Sequence, residues 1–222
     1  MVFPPGTQFR YQSMGVLLSG EIVERVTGTR LRDFEKKEIF DPLGMKDSSL
    51  GLGGRRISDT VIVDPEPGWS PADEENFGQN SPYWRDLGEP WCGMHSTTMD
   101  LAILLQTFLD GGGYGGKQVF SLATTKAMTT DQNVEFHAPW GLGWSLARAL
   151  SGNCFGELVS EKTFGHSGGN GTVAWADPET QVSCVILTNR HLTVDEIRFL
   201  RRVSNAVAAS VVSSRPVGAA AK

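Results

Sequence analysis

Cysteine is scarce in this chain, and what there is cannot staple it. Three cysteines stand among 222 residues, Cys92, Cys154 and Cys184. Their odd number and wide spacing exclude a disulfide framework and a paired-cysteine zinc site as organising devices. Histidine is almost as sparse: His95, His137, His166 and His191 lie too far apart for a local metal motif, although Cys92 and His95 are near neighbours. No metal centre is expected. Nor is there a basic run to offset the net charge of −5, so electrostatic capture of nucleic acid or acidic lipid is not expected. No apolar stretch approaches the length of a membrane span, and the opening "MVFPPGTQFR" has no apolar core to serve as a signal peptide. Internal repeats are absent too. With 40% hydrophobic and 20% charged residues the chain is expected to fold as one large globular domain, or most of one.

What is present first is an amphipathic helix. In "RYQSMGVLLSGEIVERVTG", Met14, Leu18, Ile22 and Val26 recur every fourth residue, and Leu17 and Val23 widen the stripe. Glu21 is placed to pair with Arg25, Ser13 has the chemistry of an N-cap, and Gly28 suits the left-handed stop. Four more helices are expected. "LRDFEKKEIF" ends at Pro42 and Gly44. Thr97 and Asp100 stand in capping-box spacing before Leu101, Leu104, Leu105 and Phe108, with a glycine stop from Gly111. A short helix follows Ser121, and Thr193 with Glu196 caps a last helix carrying Ile197, Leu200, Val203, Val207 and Val211.

Strand patterns cluster between residues 140 and 190, in "GLGWSLAR", "GTVAWAD" and "QVSCVILTN". Asp177-Pro178-Glu179-Thr180 turns the last two into a hairpin. The expected fold class is therefore α+β: an antiparallel β-sheet flanked by helices, plus a helical region, rather than a βαβ alternation. The helical part is expected over about 13–140, the sheet and closing helix over about 140–212, and a flexible tail over 213–222. Residues 51–92 fit neither template. They hold Trp69, Trp84 and Trp91 among glycines and prolines, and read either as the wall or lid of a pocket or as a surface excursion pinned by its tryptophans.

Two glycine motifs invite a functional reading. Gly111-Gly112-Gly113-Tyr114-Gly115-Gly116 has the spacing of a dinucleotide fingerprint, but it follows a helix rather than a strand, so a helix stop and turn is the better account. Gly165-His166-Ser167-Gly168-Gly169 matches the G-x-S-x-G nucleophile elbow, which needs a helix directly after the serine. The sequence "NGTVAWADPETQVSCVILTN" that follows reads as a strand hairpin. An elbow at Ser167 would also leave only Asp177 and His191 to complete a triad.

The stretch "FGHSGGNGTVAWADPETQVSCVILTNR" resembles the third active-site strand of the serine β-lactamase, penicillin-binding protein and family VIII esterase superfamily. There a Lys/His-Thr/Ser-Gly triplet opens an inner strand. "PGTQFRYQSMGVLLSGEIVERVTG" is similar to that family's Tyr-x-Asn/Ser motif and its flanks, and "IFDPLGMKDSS" and "GMHSTTMDLAILLQTFLDGG" follow in the family's order. The resemblance runs over roughly residues 3–212.

It implies a catalytic Tyr11 that takes the proton of the attacking serine and passes it to the leaving group. Ser13 stands at the asparagine position, His166 at the lysine position of the triplet, and Ser167 at its hydroxyl position. The Gly169 N–H supplies half of an oxyanion hole. Ser167, Gly168 and Trp91 are the implied substrate-binding residues. The family's nucleophile lies in Ser-x-x-Lys, N-terminal to the tyrosine, and no lysine of this chain has a serine three residues before it.

The sequence is therefore expected to be the C-terminal portion of a serine hydrolase acting on a small ester or amide through an acyl-enzyme, with no metal or organic cofactor, and inactive alone. A catalytically dead ligand-binding relative and an α/β-hydrolase using Ser167 are the alternatives. The expected partners are the missing N-terminal portion or a second copy.

Overall fold

In the computed structural model, which describes residues 2–65, 67–147, 149 and 154–211, the chain forms two compact units. One is Arg10–Leu101, the other Met1–Phe9 with Ala102–Lys222. The expected tail at 213–222 lies outside the described residues.

The Arg10–Leu101 unit begins with α1 (Ser13–Thr27), stopped by Gly28 in the left-handed conformation at φ 66°. Glu21 and Arg25 make the expected pair at 2.7 Å. Ser13 is not the N-cap. Extended Gln12 holds that position without a side-chain bond, and Ser13 is already the first helical residue. The helix seats itself by its narrowest side. A Cβ on Gly20 would come within 2.9 Å of Pro90 and 3.0 Å of Leu31, so only glycine permits this approach. Met14, Leu18, Ile22 and Val26 consequently face outward.

The next expected helix is three pieces. These are α2 (Leu31–Glu35), a wide π turn (Lys36–Phe40) and α3 (Asp41–Leu43). Pro42 does not end the run: it sits in the first turn of α3, where no donor is required of it, and Gly44 makes the stop at φ 72°. Short β1 (Ser49–Leu50) lies in this unit. Two helices then appear within the supposed loop, α4 (Pro71–Phe77) and α5 (Pro82–Leu87). Each is opened by a serine whose hydroxyl caps the first turn and by a proline directly after it. The strand β2 (Met94–His95) pairs antiparallel with β1.

Helix α6 (Thr98–Leu109) starts with Thr97 accepting the Asp100 N–H. Asp100 does not return the capping-box bond. Its buried carboxylate accepts from the Asp47 N–H and the Ser48 hydroxyl, both at 2.8 Å.

In the second unit the glycine run forms a hairpin, β3 (Gly113–Tyr114) with β4 (Lys117–Gln118), turned by Gly115 and Gly116 at positive φ. The expected short helix is α7 (Leu122–Met128), capped by Ser121. Four antiparallel strands follow: β5 (Ser145–Leu146), β6 (Phe164–Gly168), β7 (Thr172–Asp177) and β8 (Val182–Leu187), in that spatial order. The closing helix α8 (Val194–Ala209) is capped by Thr193, which accepts from Glu196.

Alternation along β7 builds two cores. Val173 and Trp175 pack with Cys154, Phe155, Cys184 and Leu200 of α8. Ala176 packs instead with Phe164, Leu146 and, from α6, Leu105 and Phe108. Helices thus cover both faces of the sheet. Buried Trp175 donates its indole N–H to Ser204 at 3.0 Å.

Candidate active site

Tyr11, Ser13 and Trp91 are carried by the Arg10–Leu101 unit. Tyr11 is exposed and stands two residues before α1, where the extended entry at Gln12 carries the chain into the helix. Trp91 occupies a tight turn closed by the Cys92 N–H bonding the Glu89 carbonyl at 2.9 Å, and its ring meets Trp84 edge to face at 6.0 Å. Burial, helped by the Glu89 charge, pushes the Cys92 thiol up to about 11. Burial also pushes up Cys184, to about 11, and Cys154. None of the three is a thiolate nucleophile at neutral pH.

His166, Ser167, Gly168 and Gly169 are carried by the other unit. Along β6 the β5 side is occupied only at Phe164 and Gly165, whereas the β7 side is paired through Gly168. His166–Gly168 therefore has one strand neighbour, and its other edge is open among the named strands. Gly169 follows in the turn to β7, held by the Leu192 N–H donating to its carbonyl at 2.8 Å. A Cβ there would meet nothing within 4 Å, so the backbone is approachable from that side.

His166 is partly buried, and burial lowers its pKa below the ordinary 6.5, partly opposed by its bond with the Ser167 backbone. The Nδ1 lies 2.6 Å from the Ser167 carbonyl. A carbonyl only accepts, so Nδ1 carries the proton of the neutral ring. Trp140, which no sequence pattern singled out, lies edge to face with His166 at 5.4 Å, and Phe9 stacks on Trp140 at 6.2 Å.

Ser167 is not an elbow. A strand hairpin follows it, and its side chain hydrogen-bonds buried Cys154. Its supposed acid is also committed elsewhere. Asp177 is buried and accepts from the Ser160 N–H and hydroxyl and from the Glu179 N–H. The α/β-hydrolase reading is therefore corrected: neither the turn nor the acid it needs is there. No group of three metal-ligating side chains occurs among the described residues.

The comparisons with known proteins agree with the family resemblance. A family model described as Beta-lactamase matches residues 1–208. A protein of Escherichia coli (strain K12) with the name "Putative D-alanyl-D-alanine carboxypeptidase" is 32% identical over 203 residues, covering 85% of this chain and 46% of that protein. The chain thus spans about half the length of the curated relatives it matches. Among solved structures, a penicillin-binding protein homolog from Caulobacter crescentus superposes with a TM-score of 0.67 at 25% identity, over 92% of this chain and 60% of that one. A beta-lactamase from Mycobacterium bovis superposes with a TM-score of 0.69 at 24% identity, over 96% of this chain and 68% of that one, a likeness of fold.

Proposed function

The chain belongs to the beta-lactamase family, and from that premise we propose that it is the C-terminal portion of a serine hydrolase that cleaves a small ester or amide through an acyl-enzyme. The serine nucleophile and its lysine belong to the Ser-x-x-Lys segment, which this chain does not contain. In this reading the serine oxygen attacks the acyl carbonyl, and Tyr11 takes its proton. The Gly169 N–H steadies the oxyanion. As the carbon–oxygen or carbon–nitrogen bond breaks, Tyr11 returns the proton to the leaving group; water then releases the acyl chain. Ser13, at the family's asparagine position, bonds the lysine network or the substrate.

The observation that carries the reading is the His166–Ser167–Gly168 triplet on the half of β6 that lacks a β5 neighbour, followed by a hairpin rather than a helix. The test is intact-mass measurement after incubation with a fluorophosphonate and with a penicillin. The chain alone is expected to stay unmodified, and a polypeptide carrying Ser-x-x-Lys to become acylated when the chain is added. A stoichiometric adduct on Ser167 refutes the assignment.

A further inference from the structure

The close approach of Pro90 to α1 at Gly20 leaves a hollow beside the contact. This pocket of 390 Å³ lies among α1, the start of α2 and residues 87–90, all within the Arg10–Leu101 unit. Its volume is at the small end of the roughly 300–1,000 Å³ that ligand pockets span. Leu17, Leu31, Leu87 and Pro90 supply the apolar lining. The charged lining is unequally spent. Arg32 donates to the Asp86 carboxylate at 3.3 Å and to the carbonyls of Asp86 and Leu87. Glu21 is paired with Arg25. Half-buried Glu24 accepts the Leu31 N–H with one carboxylate oxygen at 2.7 Å, and the side chain of half-buried Glu89 makes no hydrogen bond among the described residues. Neither carboxylate has an ion-pair partner there. Arg30 is the remaining cation of the lining, and it is exposed, where water and salt screen it.

We infer that this pocket binds a small organic ammonium, a single positive head on a short apolar chain. The head answers Glu24 and Glu89, and the chain covers Leu17, Leu31 and Leu87. A bare metal ion would leave the apolar wall unused, and the described residues bring no third metal-ligating side chain to these two carboxylates. A carboxylate ligand would meet charge of its own sign. Neither Tyr11 nor Ser13 lines the pocket, so the inference does not rest on the hydrolase reading. Glu89 and Pro90 directly precede Trp91, so the occupant backs onto the turn that carries that ring.

The experiment titrates the full chain, labelled with ¹⁵N, with n-hexylammonium and follows the amide shifts. A saturable one-to-one response is expected, centred on the amides of Leu17, Gly20, Leu31, Leu87 and Gly88. Methylammonium has the head without the chain and 1-hexanol the chain without the charge; each should bind at least about tenfold more weakly, and hexanoate more weakly still. Glu89→Gln removes a charge from a side chain with no bond to lose, and Glu24→Gln keeps an oxygen for the Leu31 N–H. Both variants should keep their circular dichroism and bind n-hexylammonium about five- to tenfold more weakly. Three outcomes overturn the inference: hexanol or hexanoate binding as tightly as the ammonium, shifts that spread over the acidic surface without saturating, or variants that bind it like wild type.

Discussion

The rings of Trp140 and His166 lie edge to face, with centroids 5.4 Å apart and planes at 67°. Trp140 thus takes part in the burial that holds His166 below its ordinary pKa of 6.5. Protonating the imidazole would place a charge where water is partly excluded, which disfavours the charged form. Titration of the His166 ring by NMR should give a midpoint below 6.5. In Trp140→Ala the midpoint should rise towards it. A wild-type midpoint above 6.5, or no movement in the variant, would show that burial does not control this group.

A neutral His166 has a consequence for substrate choice. A lysine at the triplet would offer an ammonium to a substrate carboxylate, and a charge-assisted hydrogen bond is worth about twice a neutral one. The chain reconstituted with an N-terminal portion should therefore favour p-nitrophenyl butyrate over a chromogenic cephalosporin in kcat/KM. His166→Lys should raise the cephalosporin value by about tenfold, equivalent to roughly 1.4 kcal/mol, and leave the ester nearly unchanged. A wild type that prefers the cephalosporin, or a lysine variant that gains nothing on it, contradicts this.

Two glycines four residues apart should behave oppositely. A Cβ on Gly165 would stand 2.3 Å from the Ala174 carbonyl oxygen and 2.7 Å from the Trp175 Cα, and backbone cannot step aside. Gly165→Ala should cost about 2–4 kcal/mol in urea unfolding, whereas Gly169→Ala, with open space at its Cβ, should stay within about 0.5 kcal/mol of wild type. Equal effects would mean that β6 and β7 are not paired as described.

Glu35, the last residue of α2, is pushed up to about 7 by burial. Its folded state therefore holds the proton more tightly than the unfolded chain, and stability drains away as pH climbs from 4.5 towards 7. His166 runs the other way: its contribution is whole above 6.5 and is lost as pH falls through its lowered value. Thermal melts should show Glu35→Gln more stable than wild type at pH 8, on the order of 1 kcal/mol after solvent screening, with the gap closing at pH 4. A gap independent of pH would assign the effect to packing instead.

Much of this was legible in the residues. Caps at Thr97, Ser121 and Thr193, the stops at Gly28 and Gly44, and the Asp177–Thr180 turn act over three or four residues, which a linear reading spans. The orientation of α1 was not legible. Periodicity marks an apolar stripe but does not say whether this chain covers it, and the deciding contact, Gly20 on Pro90, lies seventy positions away. Helices α4 and α5 were missed because each is under two full turns, too short for a period to register, although Ser70-Pro71 and Ser81-Pro82 are proper helix starts. At the candidate site the motifs marked Tyr11 and His166. Neither the ring of Trp140 nor the turn of Ser167 towards Cys154 leaves any local pattern.

The outer edge of β8 has its own consequence. Val182–Leu187 ends the four-stranded sheet, and its only strand partner among the described residues is β7. Six residues with no charge and no proline, three of them β-branched, form a template that a second extended chain can extend by main-chain bonds. In concentrated solution, protein left with that edge open will be drawn into cross-β stacking. A single lysine at Ser183 would act as a gatekeeper against such fibres, and the lag before thioflavin fluorescence rises would measure how well it does so.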